Sequence, residues 1–162
     1  MSTDRVEKKI LLHAPLPRVW QAVSDATEFG TWFGVKFDGP FAAGARMRGK
    51  IVGTAVDADV AKAQKLHETV PFEITVDRIE PEHLFSFRWH PNAVEQDVDY
   101  SAEATTVVQF SLKEVANGVM LTITESGFDQ IPQARRANPF TANEKGWTIV
   151  VDLIEKYFSK AA

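Results

Sequence analysis

Hydrophobic and polar residues follow changing periods along this chain, and the changes divide it into elements. Residues 6–12 (VEKKILL) read as a strand that His13-Ala14-Pro15 breaks. Pro15 and Pro17 suit the first turn of a following helix, where a missing amide costs no hydrogen bond. In that helix Leu16, Val19, Trp20 and Val23 recur at intervals of three, four and seven residues, one apolar stripe turned to a core. Asp25 is placed to cap a second short helix bearing Phe29, Trp32 and Phe33, with Gly30 and Gly34 limiting its length. Strands are expected at 35–37 and 47–52, joined by the turn-rich DGPFAAGA.

Residues 54–69 (TAVDADVAKAQKLHET) favour helix by composition but show no clean apolar stripe, so they read as a mobile or partly helical connector. Period-two alternation then returns four times: Phe72, Ile74, Val76; Phe85, Phe87, Trp89; Val108, Phe110, Leu112; and Val119, Leu121, Ile123. Four antiparallel strands follow, with short connections at Glu80-Pro81-Glu82-His83 and at Ala116-Asn117-Gly118, whose Asn-Gly pair suits a tight turn. The connection at 92–104 is longer and carries Glu95, Asp97, Asp99 and Glu103 with no basic residue; a solvated acidic loop fits better than a metal site, since EF-hand spacing is absent. From Phe140 the period becomes helical, with Asn143, Trp147, Val150, Val151, Ile154 and Phe158 on the same side. A helix of about 30 Å is expected there at about 1.5 Å per residue.

The predicted order is strand, two short helices, six strands and a long C-terminal helix. An antiparallel sheet with one apolar face must cover it, and that amphipathic helix is the available cover. One helix about 10 Å wide is narrower than a sheet of six to seven strands, so a gap between them is expected, closed at one end by the short helices. The fold class is therefore α+β.

Composition sharpens this picture in three ways. The 162 residues, 44% hydrophobic and 25% charged, suit one domain over 1–162 with its own core. A net charge of −4 offers no field for nucleic acid. Absent cysteine excludes disulfides, thiolate metal sites and cysteine nucleophiles. No signal-peptide core or membrane-length apolar run is visible, so a cytoplasmic location without integral membrane association is expected. The excess lies in the aromatics, with 11 Phe, 4 Trp and 2 Tyr.

Five segments resemble one family. These are A-P-x-x-x-V-W-x-A-V (14–23), D-x-x-x-F-x-x-W-F (25–33), I-E-P-E-H-L-F-S-F-R-W (79–89), T-E-S-G-F (124–128) and N-E-x-G-W leading to L-I-E-K-Y-F (143–158). Together they resemble the Aha-type SRPBCC proteins, homologues of the C-terminal domain of the activator of the heat-shock-protein-90 ATPase, within the START-like, birch-pollen-allergen-like superfamily. The stretch 54–69 is longer than the hairpin usual at that place in the family. The resemblance implies a helix-grip fold: a curved antiparallel sheet around a long C-terminal helix, with a mainly hydrophobic cavity between them. It also implies a lipid, sterol, polyketide or flavonoid ligand, with cyclase or aromatase chemistry in some relatives and chaperone ATPase activation in the eukaryotic one.

Candidate site residues follow from the alternation and from that expected cavity. Trp32, Phe33, Phe85, Phe87, Trp89, Phe110, Phe140 and Trp147 are large rings on inward faces, able either to fill a core or to line a pocket for a flat apolar ligand. Glu125 continues the alternation of Val119, Leu121 and Ile123, and Asn143 lies one helical turn before Trp147. Glu125 then faces the cavity opposite Asn143, or a bulge at Ser126-Gly127 turns it to solvent. An inward carboxylate offers a ligand hydroxyl an acceptor or a site for proton transfer. His90 alternates with Arg88 to the outer face. His13, His67 and His83 fall in turns and connectors without metal-ligand spacing. Arg46, Arg48 and Lys50 share one face of a strand, a solvated face rather than an anion site; Arg135 and Arg136 form a second basic pair, able to meet a ligand carboxylate at the cavity entrance. No G-x-S-x-G, G-x-x-x-x-G-K-[ST] or G-x-G-x-x-G occurs, so no catalytic residue, metal or cofactor is expected. The expected partner is a small hydrophobic molecule, with a protein partner as the alternative.

Overall fold

A computed structural model describes residues 5–68, 72–90, 105–128 and 133–160, with backbone alone at 67, 133–142 and 160. The acidic stretch 92–104 lies outside the described residues, as do the side chains of Arg135, Arg136 and Phe140. The element order is β1 (Arg5–Leu12), α1 (Leu16–Ser24), α2 (Ala26–Phe33), β2 (Val35–Phe37), β3 (Arg46–Ile51), α3 (Ala58–Gln64), β4 (Phe72–Glu80), β5 (Leu84–Trp89), β6 (Thr106–Val115), β7 (Gly118–Ser126) and α4 (Gln133–Lys160). The seven strands form one antiparallel sheet in the order β1-β7-β6-β5-β4-β3-β2. This is the expected helix-grip α+β fold. Strands β1 and β2 occupy opposite edges of the sheet, and α1 and α2 carry the chain between them.

Local chemistry explains the element boundaries. Pro17 lies in the first turn of α1 with Pro15 as its N-cap. Asp25 Oδ1 accepts the Glu28 amide at 2.9 Å, capping α2. Gly34 ends α2 at φ 98°, a left-handed conformation that costs glycine little. The connector is partly helical: Asp57 caps α3, and a 3-10 turn over Lys65–His67 follows it. Gln64 then fastens α3 to α2, donating to the Phe33 carbonyl at 2.7 Å and accepting the Thr54 amide at 2.8 Å.

The long helix starts earlier than the apolar pattern predicts, at Gln133 rather than Phe140, and has 28 residues. The segment QARRANP preceding Phe140 has no apolar stripe, and Pro139 lacks the amide for an interior helical bond. Both features hide a helix from periodicity. Helix α4 packs on β1 and α2. Tyr157 donates to Glu28 at 2.7 Å, Arg18 pairs with the same carboxylate at 2.7 Å, and Lys156 meets Asp57 at 2.5 Å. The far end of α4 is thereby tied to α1, α2 and the α3 cap. No described helix is long and apolar enough to cross a membrane.

The core lies between the sheet and the helices. Val19, Val23, Phe29, Trp32, Phe85, Phe87, Phe110, Leu121, Ile123, Leu153 and Ile154 are all buried there. On the outer face Arg46 and Arg48 both pair with Glu73 at 2.9 and 3.4 Å, with side chains 66% and 72% exposed, a solvated face as expected.

Candidate functional site

Register brings the site together. Val6, Glu125 and Val108 are opposite one another across β1, β7 and β6, and Val108 faces Phe87, which faces Val76. Glu125 thus stands in an inward row of otherwise apolar residues running through five strands. Trp89 opposes Thr106 in the β5–β6 pair, and Thr106 precedes Val108 by two residues, so both share that face. Asn143 and Trp147 are four residues apart on α4 and present side chains to one side.

Glu125 is fully buried, and both of its oxygens are taken. Oε1 accepts from Trp147 Nε1 at 2.7 Å and Asn143 Nδ2 at 2.8 Å. Oε2 accepts from Trp89 Nε1 at 2.7 Å, Thr106 Oγ1 at 2.5 Å and Asn143 Nδ2 at 3.0 Å. The strand alternation therefore runs unbroken to Glu125, and the turn at Gly127 (φ 99°) comes after it rather than before. A buried carboxylate without such partners costs several kcal/mol, roughly the stability of a small domain, so the donors are a condition of folding. All four of these partners are electrically neutral.

Aromatic rings surround this polar centre. Trp89 and Trp147 lie 5.7 Å apart with planes inclined by 31°; Phe87 meets Trp89 at 5.2 Å, and Phe110 meets Trp147 at 6.0 Å. Further in, Phe29 touches Trp32, Phe33, Phe85, Phe87 and Phe110 at 4.7–6.5 Å between centroids. Trp32, Phe85, Phe87 and Phe110 are fully buried, Trp147 is 2% exposed, and Phe33, Trp89 and Asn143 are half-buried. Trp32 also donates its indole N–H to the Ala22 carbonyl at 3.0 Å, locking α2 against α1.

Of the predicted site residues, Trp89, Glu125, Asn143 and Trp147 form the polar centre, while Trp32, Phe33, Phe85, Phe87 and Phe110 form the ring cluster beside it. Sequence reading passed over Thr106, whose signal was its place two residues before Val108. It also left Phe29 out of the site, although Phe29 sits at the middle of the rings. His90 follows β5 and is half-buried. Two pockets open elsewhere. One of about 650 Å³ lies between α2 and the β2–β3 region, lined in part by Thr27, Thr31, Lys36, Asp38 and Val52. The other, of about 570 Å³, lies beside the β6–β7 turn. Neither is lined by Trp32, Phe33, Phe85, Phe87 or Phe110, although Phe37 in the first lies 6.0 Å from Phe29. Both lack a buried charged group, so the chemistry of the described residues concentrates at Glu125.

A curved sheet gripping a long helix around one buried carboxylate places the molecule among helix-grip proteins. The chain belongs to the family described as Activator of Hsp90 ATPase homolog 1-like protein, whose model matches residues 13–159. It is similar in fold to DynU16, from the dynemicin biosynthetic locus, with 24% identity and TM-score 0.69 over 98% of this chain and 48% of that one. Protein MLL2253 from Mesorhizobium loti is similar at 22% identity and TM-score 0.69, with 98% of each chain covered. The Aha1 dimer from Colwellia psychrerythraea is similar at 12% identity and TM-score 0.63, with 95% of each chain covered. This chain thus spans about half of DynU16 but nearly all of the other two. No curated protein matches the sequence.

Proposed function

We propose that this protein binds a small hydrophobic molecule, aromatic or lipid-like, between the sheet and α4. The apolar body lies among Phe87, Trp89, Phe110 and Trp147, and the polar end reaches Glu125 and Asn143. The buried Glu125 carries this reading. A charge inside a core contributes little net stability compared with a well-packed apolar residue, so the fold alone does not require a carboxylate in a row of Val and Phe. Recognition of a polar group does require one, and fully buried polar groups amid aromatic walls are the usual composition of a small-molecule site. The rings meet one another, so binding separates some of these contacts. Trp89 and Asn143, both half-buried, mark the side from which a ligand enters.

Titration with flavonoids, polyketides, long-chain alcohols and fatty acids tests the proposal. Saturable quenching of Trp fluorescence, with amide shifts at Trp89, Glu125 and Asn143, is the expected result. No response to any of them at millimolar concentration overturns it.

A further inference from the structure

We infer, building on the binding reading above, that the ligand's polar end is a hydrogen-bond donor, a hydroxyl or an ammonium, and that carboxylate-headed molecules are rejected. Four described partners surround Glu125, and the two indoles can only donate. Asn143 turns its amide N–H toward both oxygens, and Thr106 adds its hydroxyl. An acceptor-only carboxylate is what such a shell holds. No Lys, Arg or His is among these four partners. The cations Lys8 and Arg18 pair with Glu144 and Glu28 at 2.7 Å each.

The ligand end of the site is therefore an anion dressed in neutral donors. A second carboxylate arriving there would meet a like charge in a region sheltered from water, with no cation among the described partners to bridge the two. A hydroxyl or ammonium meets the opposite situation. It replaces one existing donor and brings a proton of its own to Glu125, while the two indoles and Thr106 keep a donor at each oxygen. Asn143 is the donor most readily replaced. Its amide is shared between the two oxygens at 2.8 and 3.0 Å and its side chain is half-buried, whereas Thr106 and Trp147 are fully or almost fully buried.

Four probes with one apolar body test this: naphthalene, 2-naphthol, 2-naphthylmethylammonium and 2-naphthoate, titrated by calorimetry and amide shifts. 2-Naphthol or the ammonium should bind about tenfold or more tighter than 2-naphthoate, the loss expected from one charge-assisted hydrogen bond exchanged for like-charge repulsion. The tighter of the two identifies which head group is selected. Glu125→Gln should bring 2-naphthol and 2-naphthoate to within about twofold, because an amide accepts from one and donates to the other. Asn143→Ala, which leaves Glu125 in place, serves where the Glu125→Gln variant does not fold. It should hold or tighten 2-naphthol binding, since the ligand no longer has to displace the amide. Wild-type affinity for 2-naphthoate equal to that for 2-naphthol overturns the head-group assignment while leaving the ligand-binding reading standing. A tenfold loss of 2-naphthol binding in Asn143→Ala likewise overturns it. Saturable binding by none of the four overturns the head-group assignment, while the binding reading is decided separately by the titrations with flavonoids, polyketides, alcohols and fatty acids.

Discussion

Replacing Glu125 by Gln keeps the size of the side chain and removes one acceptor, and the consequence can be worked from the five contacts at its oxygens. With the amide nitrogen in the Oε1 position, the Trp147 indole N–H faces another donor, although Asn143 can keep its bond to the remaining oxygen. With the nitrogen in the Oε2 position, the Trp89 indole is stranded, while the Thr106 hydroxyl can rotate to accept. Either orientation leaves one indole N–H buried without a partner, at about 1–3 kcal/mol. The remaining bonds fall from charge-assisted to neutral strength, a further loss of about 0.5–1.5 kcal/mol each at two positions. The expected destabilisation is about 2–6 kcal/mol, a large part of the roughly 5–15 kcal/mol of a typical domain. In urea unfolding followed by circular dichroism the midpoint should fall with little change of slope, and Tm should drop by roughly 4–24 °C for a chain of this size. Glu7→Gln is the control, because the Glu7 side chain is 43% exposed beside Arg5 and its change should stay within about 0.5 kcal/mol. A Glu125→Gln variant as stable as that control would show that the indole and amide donors do not converge on Glu125, and the account of the site would fall with it.

Other perturbations follow from the same contacts. Thr106→Val keeps the branched shape and removes one donor to Oε2, so it should cost about 1.5–3 kcal/mol, and a double-mutant cycle with Glu125→Gln should show strong coupling; additive effects would contradict the contact. Gly30→Ala should destabilise by roughly 3 kcal/mol or more in thermal melts, because the new Cβ would lie 2.0 Å from the Val35 carbonyl oxygen, a backbone atom that cannot step aside. Gln64→Ala removes the bonds that fasten α3 to the end of α2 at Phe33 and to Thr54 after β3, and hydrogen exchange should speed up over α3 while the central strands stay protected. The hydrogen bond from Lys156 and the α3 cap amides hold the Asp57 carboxyl below its ordinary 3.8, so its contribution to stability is present above that pH and is lost as pH falls through the lowered value. The Tm gap between wild type and Asp57→Asn should therefore close on acidification below about pH 3.8; a gap that widens instead would reverse the sign.

Much of the architecture was legible because two periods rarely mislead over long stretches. The alternation of Phe85, Phe87 and Trp89 and of Val119, Leu121 and Ile123 could only be strands with an apolar inward face, and both are. Asp25 as a cap and the two prolines of α1 were readable for the same reason: the chemistry is local. The first turns of α4 were not, since QARRANP carries no stripe and its helicity comes from continuation of the chain. The position of α3 was equally hidden, because side-chain bonds to α2 and an ion pair to α4 hold it rather than an apolar face of its own.

The sequence by itself determined that Val119, Leu121 and Ile123 share one face, since strand alternation is a property of the backbone alone, but it left Glu125 open between cavity and solvent. It also determined that the inward faces would be rich in rings. Only the tertiary structure decided what those rings and that carboxylate meet. Trp89, Thr106, Glu125, Asn143 and Trp147 come from three strands and a helix up to 58 positions apart in the chain, 89 to 147. Strand register and the seat of α4 on the sheet aim their donors at one pair of oxygens. No local rule encodes that convergence, because hydrogen-bond geometry is set to within tenths of an ångström by the packing of whole elements.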